Sequence, residues 1–157
     1  MKTFDITVPI TEYTFAELPE DIRSLIEEAR QATYRSYAPY SHFSVGAAIR
    51  LANGVTVTGA NQENAAFSSG TCAERSACFY ASAQYPGTDF RDIAIAARDT
   101  NGQWVIDPIS PCGACRQALL EYETLAQHDV TVWLAGRDKV YRLPSIKSLL
   151  PLSFTEF

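Results

Sequence analysis

The order of apolar segments along the chain constrains the fold more than any other feature of the sequence. Segments with apolar residues at helical spacing predict helices at about 19–34, 72–84, 112–122 and 145–150. Short apolar runs predict strands at about 43–51, 55–59, 93–97, 130–135 and 140–143. Asn53 and Gly54 predict a hairpin turn between the first two strands. This order favours an α/β fold, a three-layer α/β/α sandwich with a mixed five-stranded sheet.

Length and composition predict how many domains the chain forms. Its 157 residues, of which 46% are hydrophobic, are enough for one hydrophobic core, so we expect 1–157 to form a single domain. Phe4, Ile6 and Val8 alternate with polar residues, which indicates that residues 1–14 form an N-terminal arm or a short edge strand. A short extra strand at 104–106 is also compatible with the pattern.

Charge and hydropathy exclude several classes of partner. The formal net charge is −5, and the sequence has no run of basic residues, so we expect no nucleic-acid partner. No stretch approaches the ~18 consecutive apolar residues of a membrane span, so we expect no membrane partner. The N-terminus lacks the apolar segment of a signal peptide, which predicts a cytoplasmic protein. A small molecule is the expected ligand.

The cysteines carry the strongest chemical signal in the sequence, because a chain of this size needs no disulfides to fold. Cys112 and Cys115 begin a predicted helix at a spacing that places both thiols on one helical face, where they can bind one ion. Cys72 begins another helix that also follows a strand. Since helix N-termini gather at the carboxyl ends of parallel strands, we expect the three thiols to converge.

The spacing also indicates the kind of metal site. Cys78 lies about 240° around the helix from Cys72, so it points away, and we expect it in the core. Three protein ligands with one open position are typical of a catalytic zinc. Glu74 follows a ligand closely and is placed to exchange protons with water and substrate. A redox-active cysteine pair and a non-enzymatic zinc module are the alternative interpretations.

The two cysteine segments together form a specific motif. Zinc deaminases that act on nucleosides and nucleobases have Cys-x-Glu followed by Pro-Cys-x-x-Cys, which is present here at 72–74 and 111–115. From about Leu18 to the C-terminus, the sequence resembles the small, homotetrameric cytidine deaminases. The segments 40–48, 59–65 and 149–155 also resemble motifs of that family.

The resemblance implies how a nucleoside is held. Phe43 is expected to contact the pyrimidine ring, and Asn61 and Glu63 to hold the 3′-hydroxyl of the sugar. Phe154 is expected to stack on the base, generally in a neighbouring subunit. The backbone around Ala73 and Ser110 is expected to fix the edge of the base.

Three further features of the sequence lie near these motifs. Arg75 and Arg116 are expected either to compensate the charge of the thiolates or to form ordinary surface salt bridges. Phe67 stands where the family commonly has Tyr, so a hydroxyl is missing near the site. The C-terminal segment is rich in large apolar residues, namely Leu149, Leu150, Leu152, Phe154 and Phe157, which predicts burial on this domain or on a neighbour.

The resemblance therefore implies an enzyme: a zinc-dependent cytidine deaminase that converts cytidine and 2′-deoxycytidine to the uridines and releases ammonia, in pyrimidine salvage. It further implies one Zn²⁺ per subunit held by the three cysteines, Glu74 as the proton carrier, and a homotetramer with shared active sites. A deaminase for another aminopyrimidine or an aminopurine, and a polynucleotide deaminase, are the alternatives. The sugar motif argues against free bases, and the acidic chain against polynucleotides.

Overall fold

The computed structural model describes residues 1–155 and contains one mixed sheet of six strands. In chain order the strands are β1 Thr11–Thr14, β2 Ser44–Leu51, β3 Thr56–Ala60, β4 Phe90–Arg98, β5 Thr131–Ala135 and β6 Lys139–Leu143. Their order across the sheet is β1-β6-β5-β4-β2-β3. The pair β4 and β5 is parallel, and the other neighbours are antiparallel.

Helices cover both faces of this sheet, as the sequence predicts. The helices are α1 Glu20–Ala32, α2 Ala73–Gln84 and α3 Gly113–Ala126, and a short 3₁₀ helix follows at Ile146–Leu149. In β4, Ala94 and Ala96 pack in the cluster that contains α1, whereas Ile93 and Ile95 pack in the cluster that contains α2 and α3. Because successive side chains of a strand point to opposite faces of the sheet, these two sets of residues contribute to separate cores. The predicted three-layer α/β/α sandwich is confirmed.

The predicted number of strands is wrong, because the sheet has six strands and not five. The additional strand is β1, which pairs with β6 at one edge and places Tyr13 opposite Val140. Tyr13 also packs its ring against Trp133, with 6.0 Å between the ring centroids. The apolar alternation that suggested an edge strand lies earlier, at Phe4, Ile6 and Val8. Residues 1–10 have no regular secondary structure.

The predicted hairpin turn is present, whereas the predicted extra strand at 104–106 is not. Asn53 and Gly54 form the predicted hairpin turn between β2 and β3, and Gly54 has a φ of 84°. That backbone region favours glycine. Residues 104–106 do not form a strand; Trp104 makes only an isolated bridge with Arg98. Within the described residues, no helix has the length and apolar character needed to span a membrane.

The sheet brings the N-termini of α2 and α3 to the same edge. Strands β3 and β4 both run antiparallel to β2, so they point in the same direction, and each precedes one of these helices. Gly59 lets the first turn of α2 approach β3 closely. A Cβ atom at Gly59 would lie 2.5 Å from both the carbonyl oxygen of Ala73 and the amide nitrogen of Ala77.

A buried carboxylate fixes the 3₁₀ helix on α3. Glu123 is 2% exposed, and its two carboxylate oxygens accept four hydrogen bonds. The donors are the backbone amides of Val130, Ile146 and Lys147 and the hydroxyl of Ser145. A buried charge with this many partners is satisfied, so removing the charge leaves amides unpaired.

Glu123→Gln is therefore expected to lower the free energy of unfolding by about 2–4 kcal/mol. In either orientation, the NH2 group of Gln would face at least one backbone amide that now donates to the carboxylate. Urea unfolding measures the change, and Glu121→Gln, an exposed position on the same helix, is the matched control. Equal stability of the two variants would contradict this role for Glu123.

Candidate active site

Three cysteine thiols meet where α2 and α3 begin. The sulfur atoms of Cys72, Cys112 and Cys115 all lie within 4.8 Å of one another. The Sγ of Cys112 is 4.0 Å from that of Cys72 and 3.5 Å from that of Cys115. Among residues 1–155 this is the only group of three or more such side chains that could hold a metal ion. The convergence expected from the sequence is present.

The positions of these thiols on the helices favour negative charge. Cys72 is the N-cap of α2 and Cys112 is the N-cap of α3, so both lie beside unpaired backbone amides. Hydrogen bonding with Cys115, and to a smaller extent with Arg75 and Cys112, lowers the pKa of Cys72 to about 5 against the opposing effect of burial. The same hydrogen bond and burial raise the pKa of Cys115. All three are free thiols, and this soft donor set fits zinc.

Cys78 lies apart from this group. It is fully buried in the core, and its thiol donates to the carbonyl oxygen of Arg75 at 3.6 Å. Burial raises the pKa of Cys78 to about 12, so it stays protonated. Its place in the core is the one expected from the rotation of α2.

Glu74 lies in the first turn of α2 and is only 4% exposed. Burial raises the pKa of its carboxyl group, and the nearby charge of Cys72 acts in the same direction. Ala73, which precedes it, is fully buried. A carboxyl group beside three thiols and shielded from bulk water can take up and release a proton.

A cavity of about 590 Å³ opens beside the thiol group. Its volume is within the usual range for small-molecule sites. Its lining includes Cys72 and Arg75 from the metal side and the segment around Asn61 and Glu63. The remaining lining residues are Tyr40, Ser41, Gln62, Asn64, Phe67, Gly70 and Thr71. The predicted sugar-binding residues and one metal ligand thus face the same space.

The side chain of Asn61 is largely used by the protein itself. Its Oδ1 accepts hydrogen bonds from the amide of Val45 at 2.8 Å and the hydroxyl of Ser36 at 2.7 Å. Its Nδ2 donates to the carbonyl oxygen of Phe43 at 2.9 Å. An amide group has two N–H donors, so one remains for a ligand in the cavity. Asn61 therefore also fixes the start of β2.

Glu63 holds the loop before β2. Its carboxylate accepts hydrogen bonds from the amide of Tyr40 at 2.9 Å, the amide of Ser41 at 3.2 Å and the hydroxyl of Ser41. The hydrogen bond from the Ser41 hydroxyl, followed by that from the Tyr40 amide, lowers the pKa of Glu63. Glu63 is therefore ionised at neutral pH and has acceptor capacity left for a hydroxyl group.

The two predicted aromatic contacts lie in different surroundings. Phe43 is half-buried beside the start of β2. The side chain of Phe154 is 66% exposed, and its backbone carbonyl accepts a hydrogen bond from Gln117 at 2.9 Å. Phe157, which the sequence grouped with the same apolar segment, lies outside the described residues.

The two arginines differ in what they contact. A terminal nitrogen of Arg75 lies 4.0 Å from the sulfur of Cys72. Arg116 instead donates to the carbonyl oxygens of Pro111 at 2.8 Å and Leu149 at 3.0 Å, and to the hydroxyl of Ser110 at 2.9 Å. Charge compensation stays a prediction for both residues, and the contacts of Arg116 point to a second role.

Sequence reasoning missed residues whose partners are distant along the chain. Ser41 and Tyr40 contact Glu63, and Gln117 contacts Phe154, through pairs of loop or helix positions that share no local pattern. Buried Glu123 was missed for the same reason. The one usable signal was an acidic residue among apolar neighbours on the inner face of α3.

Three thiols beside a buried carboxylate, at the edge of a ligand-sized cavity, are the arrangement of a metal-dependent hydrolase. Comparison with protein families agrees with that class. Residues 19–127 match the family model described as the cytidine and deoxycytidylate deaminase zinc-binding region. The chain belongs to this family.

Curated relatives and solved structures are similar over most of the chain. A cytidine deaminase from Halalkalibacterium halodurans is 40% identical over 135 residues, which cover 86% of this chain and 95% of the relative. One from Sporosarcina psychrophila is 36% identical over 136 residues, which cover 87% and 93%. The crystal structure of cytidine deaminase from Burkholderia pseudomallei superimposes with a TM-score of 0.71 at 38% identity, covering 87% of this chain and all of that one.

Proposed function

We propose that this protein catalyses the hydrolytic deamination of cytidine and 2′-deoxycytidine to uridine and 2′-deoxyuridine, with release of ammonia, in pyrimidine salvage. The observation that carries the proposal is the position of the three thiols. They lie within 4.8 Å of one another and close to buried Glu74, and one of them, Cys72, lines a cavity that Asn61 and Glu63 also line.

The metal site follows from the donor set. Cys72, Cys112 and Cys115 would hold about one zinc ion per chain, which leaves one coordination position for a small ligand. Bound there, zinc would lower the pKa of a water molecule and so make it a nucleophile at neutral pH. Arg75, beside Cys72, offsets part of the negative charge of the thiolates.

Glu74 carries the protons of the reaction. Its carboxylate accepts a proton from the attacking water and delivers it to N3 of the base, which makes C4 more electrophilic. After the oxygen of the water has bonded to C4, the bond between C4 and the amino nitrogen breaks. Glu74 takes the second proton from the hydroxyl group now on C4, which becomes the carbonyl, and delivers it to the departing nitrogen, so ammonia leaves and uridine remains. Its burial limits proton exchange with bulk solvent during these steps.

The remaining residues hold the nucleoside. The free N–H of Asn61 and the carboxylate of Glu63 suit a sugar hydroxyl, which both accepts and donates a hydrogen bond. Phe43 offers an aromatic surface to an uncharged base. The backbone amide of Ala73, at the start of α2, and the backbone near Ser110 would bind the polar edge of the base.

The proposal extends to the whole chain and its assembly. One sheet takes its strands from Thr11 to Leu143, so we treat residues 1–157 as one catalytic domain. Large apolar side chains such as those of Leu152 and Phe154 are exposed on the single chain, and a homotetramer with shared active sites would cover them. The free thiols suit a reducing compartment, and we place the protein in the cytoplasm.

Phe154→Ala is expected to weaken cytidine binding by about 1–3 kcal/mol, the usual scale of base–aromatic stacking, with normal zinc content. If the ring serves a neighbouring subunit, mixed oligomers of Phe154→Ala and Glu74→Gln subunits should regain activity. Such an oligomer combines an intact Glu74 from one chain with an intact Phe154 from another. Absence of recovery after verified subunit exchange would assign Phe154 to its own subunit.

A substrate panel tests the reaction itself. Ammonia release is measured with cytidine, 2′-deoxycytidine, cytosine and adenosine as substrates under identical conditions. We expect turnover of the two cytidine nucleosides only, because Asn61 and Glu63 require a sugar and the site acts on a pyrimidine. Preferred turnover of cytosine or adenosine would contradict the proposed substrate class.

A further inference from the structure

The C-terminal segment, residues 145–155, is held by side chains of one helix. Glu123, Arg116 and Gln117 all belong to α3, and each bonds to a different part of this segment. The carboxylate of Glu123 accepts from the amides of Ile146 and Lys147, at the start of the 3₁₀ helix. A helix this short has no stable structure without such partners.

The other end of the 3₁₀ helix is held by the opposite charge. Arg116 donates to the carbonyl oxygen of Leu149, the last residue of that helix, at 3.0 Å. The same guanidinium donates to Pro111 and Ser110, immediately before metal-site residue Cys112. An anion at the amide end and a cation at the carbonyl end satisfy groups that a helix leaves unpaired. Arg116 therefore joins Ser110 and Pro111, which precede the metal-site residue Cys112, to the C-terminal segment.

Gln117 contacts the segment at its functional residue. The Nε2 of Gln117 donates to the backbone carbonyl of Phe154 at 2.9 Å. Gln117 is the neighbour of Arg116 on α3, so the same turn of helix that holds Leu149 also holds Phe154. Between these two contacts the segment has no helix or strand. Gln117 thus adds a hydrogen bond at the backbone of Phe154 to the restraint that the anchored 3₁₀ helix gives the segment.

We propose that Gln117 is a positioning residue for nucleoside binding, which holds the backbone of Phe154 so that its ring is presented to the base. The inference rests on the proposed function, in which Phe154 covers the base. Gln117 itself contacts neither substrate nor metal in this arrangement. Its effect should therefore appear in KM, through Phe154, rather than in the chemical step.

The test is a double-mutant cycle between Gln117→Ala and Phe154→Ala, with cytidine as substrate. Gln117→Ala is expected to raise KM about fivefold, the scale of one hydrogen bond, with kcat and zinc content unchanged. Gln117→Glu should also raise KM, because it keeps the size of the side chain but cannot donate to the carbonyl. Gln84→Ala, at an exposed position in the last turn of α2, is the matched control and should have no effect.

In the Phe154→Ala background, Gln117→Ala should raise KM no further, because the ring that it positions is absent. Full multiplication of the two effects would show that Gln117 acts elsewhere and would overturn the proposal. An unchanged KM for Gln117→Ala, with a raised KM for Phe154→Ala, would also overturn it and leave the proposed function intact. An unchanged KM for Phe154→Ala would reject the proposed role of that ring, and the inference about Gln117 with it.

Discussion

Glu74→Gln is expected to retain the metal and the fold but to lose turnover of cytidine by about 10²–10⁴-fold. Gln has the size of Glu and leaves the thiols of Cys72, Cys112 and Cys115 in place. It cannot accept a proton from water or deliver one to N3, so the barrier to the chemical step rises while the nucleoside still binds. The loss should therefore appear in kcat more than in KM.

The measurement combines steady-state ammonia release with zinc content and thermal unfolding of the same preparation. Glu20→Gln is the matched control, because Glu20 also lies in the first turn of a helix, α1, but is exposed. The control should keep full activity. A Glu74→Gln enzyme with nearly normal kcat would show that Glu74 does not carry the protons.

Replacing any one of Cys72, Cys112 and Cys115 by Ala is expected to abolish both zinc binding and activity. Two remaining thiols cannot supply the three protein ligands of a catalytic zinc site. Because zinc binding is coupled to folding, each variant should also melt at a lower temperature than the zinc-loaded protein. Zinc content, cytidine turnover and thermal unfolding measure the three effects.

Cys78→Ala is the control for these variants. Its thiol is buried in the core and bonds to the carbonyl oxygen of Arg75, so its loss should cost about 1 kcal/mol of stability and no zinc. Loss of zinc in Cys78→Ala would contradict the three-thiol catalytic site and indicate a structural site with four cysteines instead.

The parts of the fold that depend on local pattern could be predicted from the sequence. The helices α2 and α3 begin one residue after Cys72 and Cys112, which occupy the N-cap positions, and so within one residue of the predicted starts. A short edge strand was one of two interpretations of residues 1–14, but the position of β1 within them could not be predicted. Its short polar sequence, Thr11–Thr14, becomes a strand only by pairing with β6 at the far end of the chain. The count of five strands was wrong for that reason.

The candidate site likewise has parts that the sequence predicts and parts that it does not. The metal group could be predicted because its ligands begin two helices, and the direction of the strands then decides where those helices meet. The contacts of Arg116 could not be predicted, since its partners Pro111 and Leu149 come together only in the folded chain. The position of Glu123 beneath the 3₁₀ helix depends on the same long-range packing.

Zinc content measured together with cytidine turnover tests the central proposal most directly. The purified protein is stripped with a chelator and then titrated with zinc, and bound zinc and ammonia release are measured at each step. Activity should rise in proportion to bound zinc and reach its maximum at about one ion per chain. Full activity in the zinc-free protein, or one bound zinc per chain without any turnover of cytidine or 2′-deoxycytidine, would contradict the proposal that this protein is a zinc-dependent cytidine deaminase.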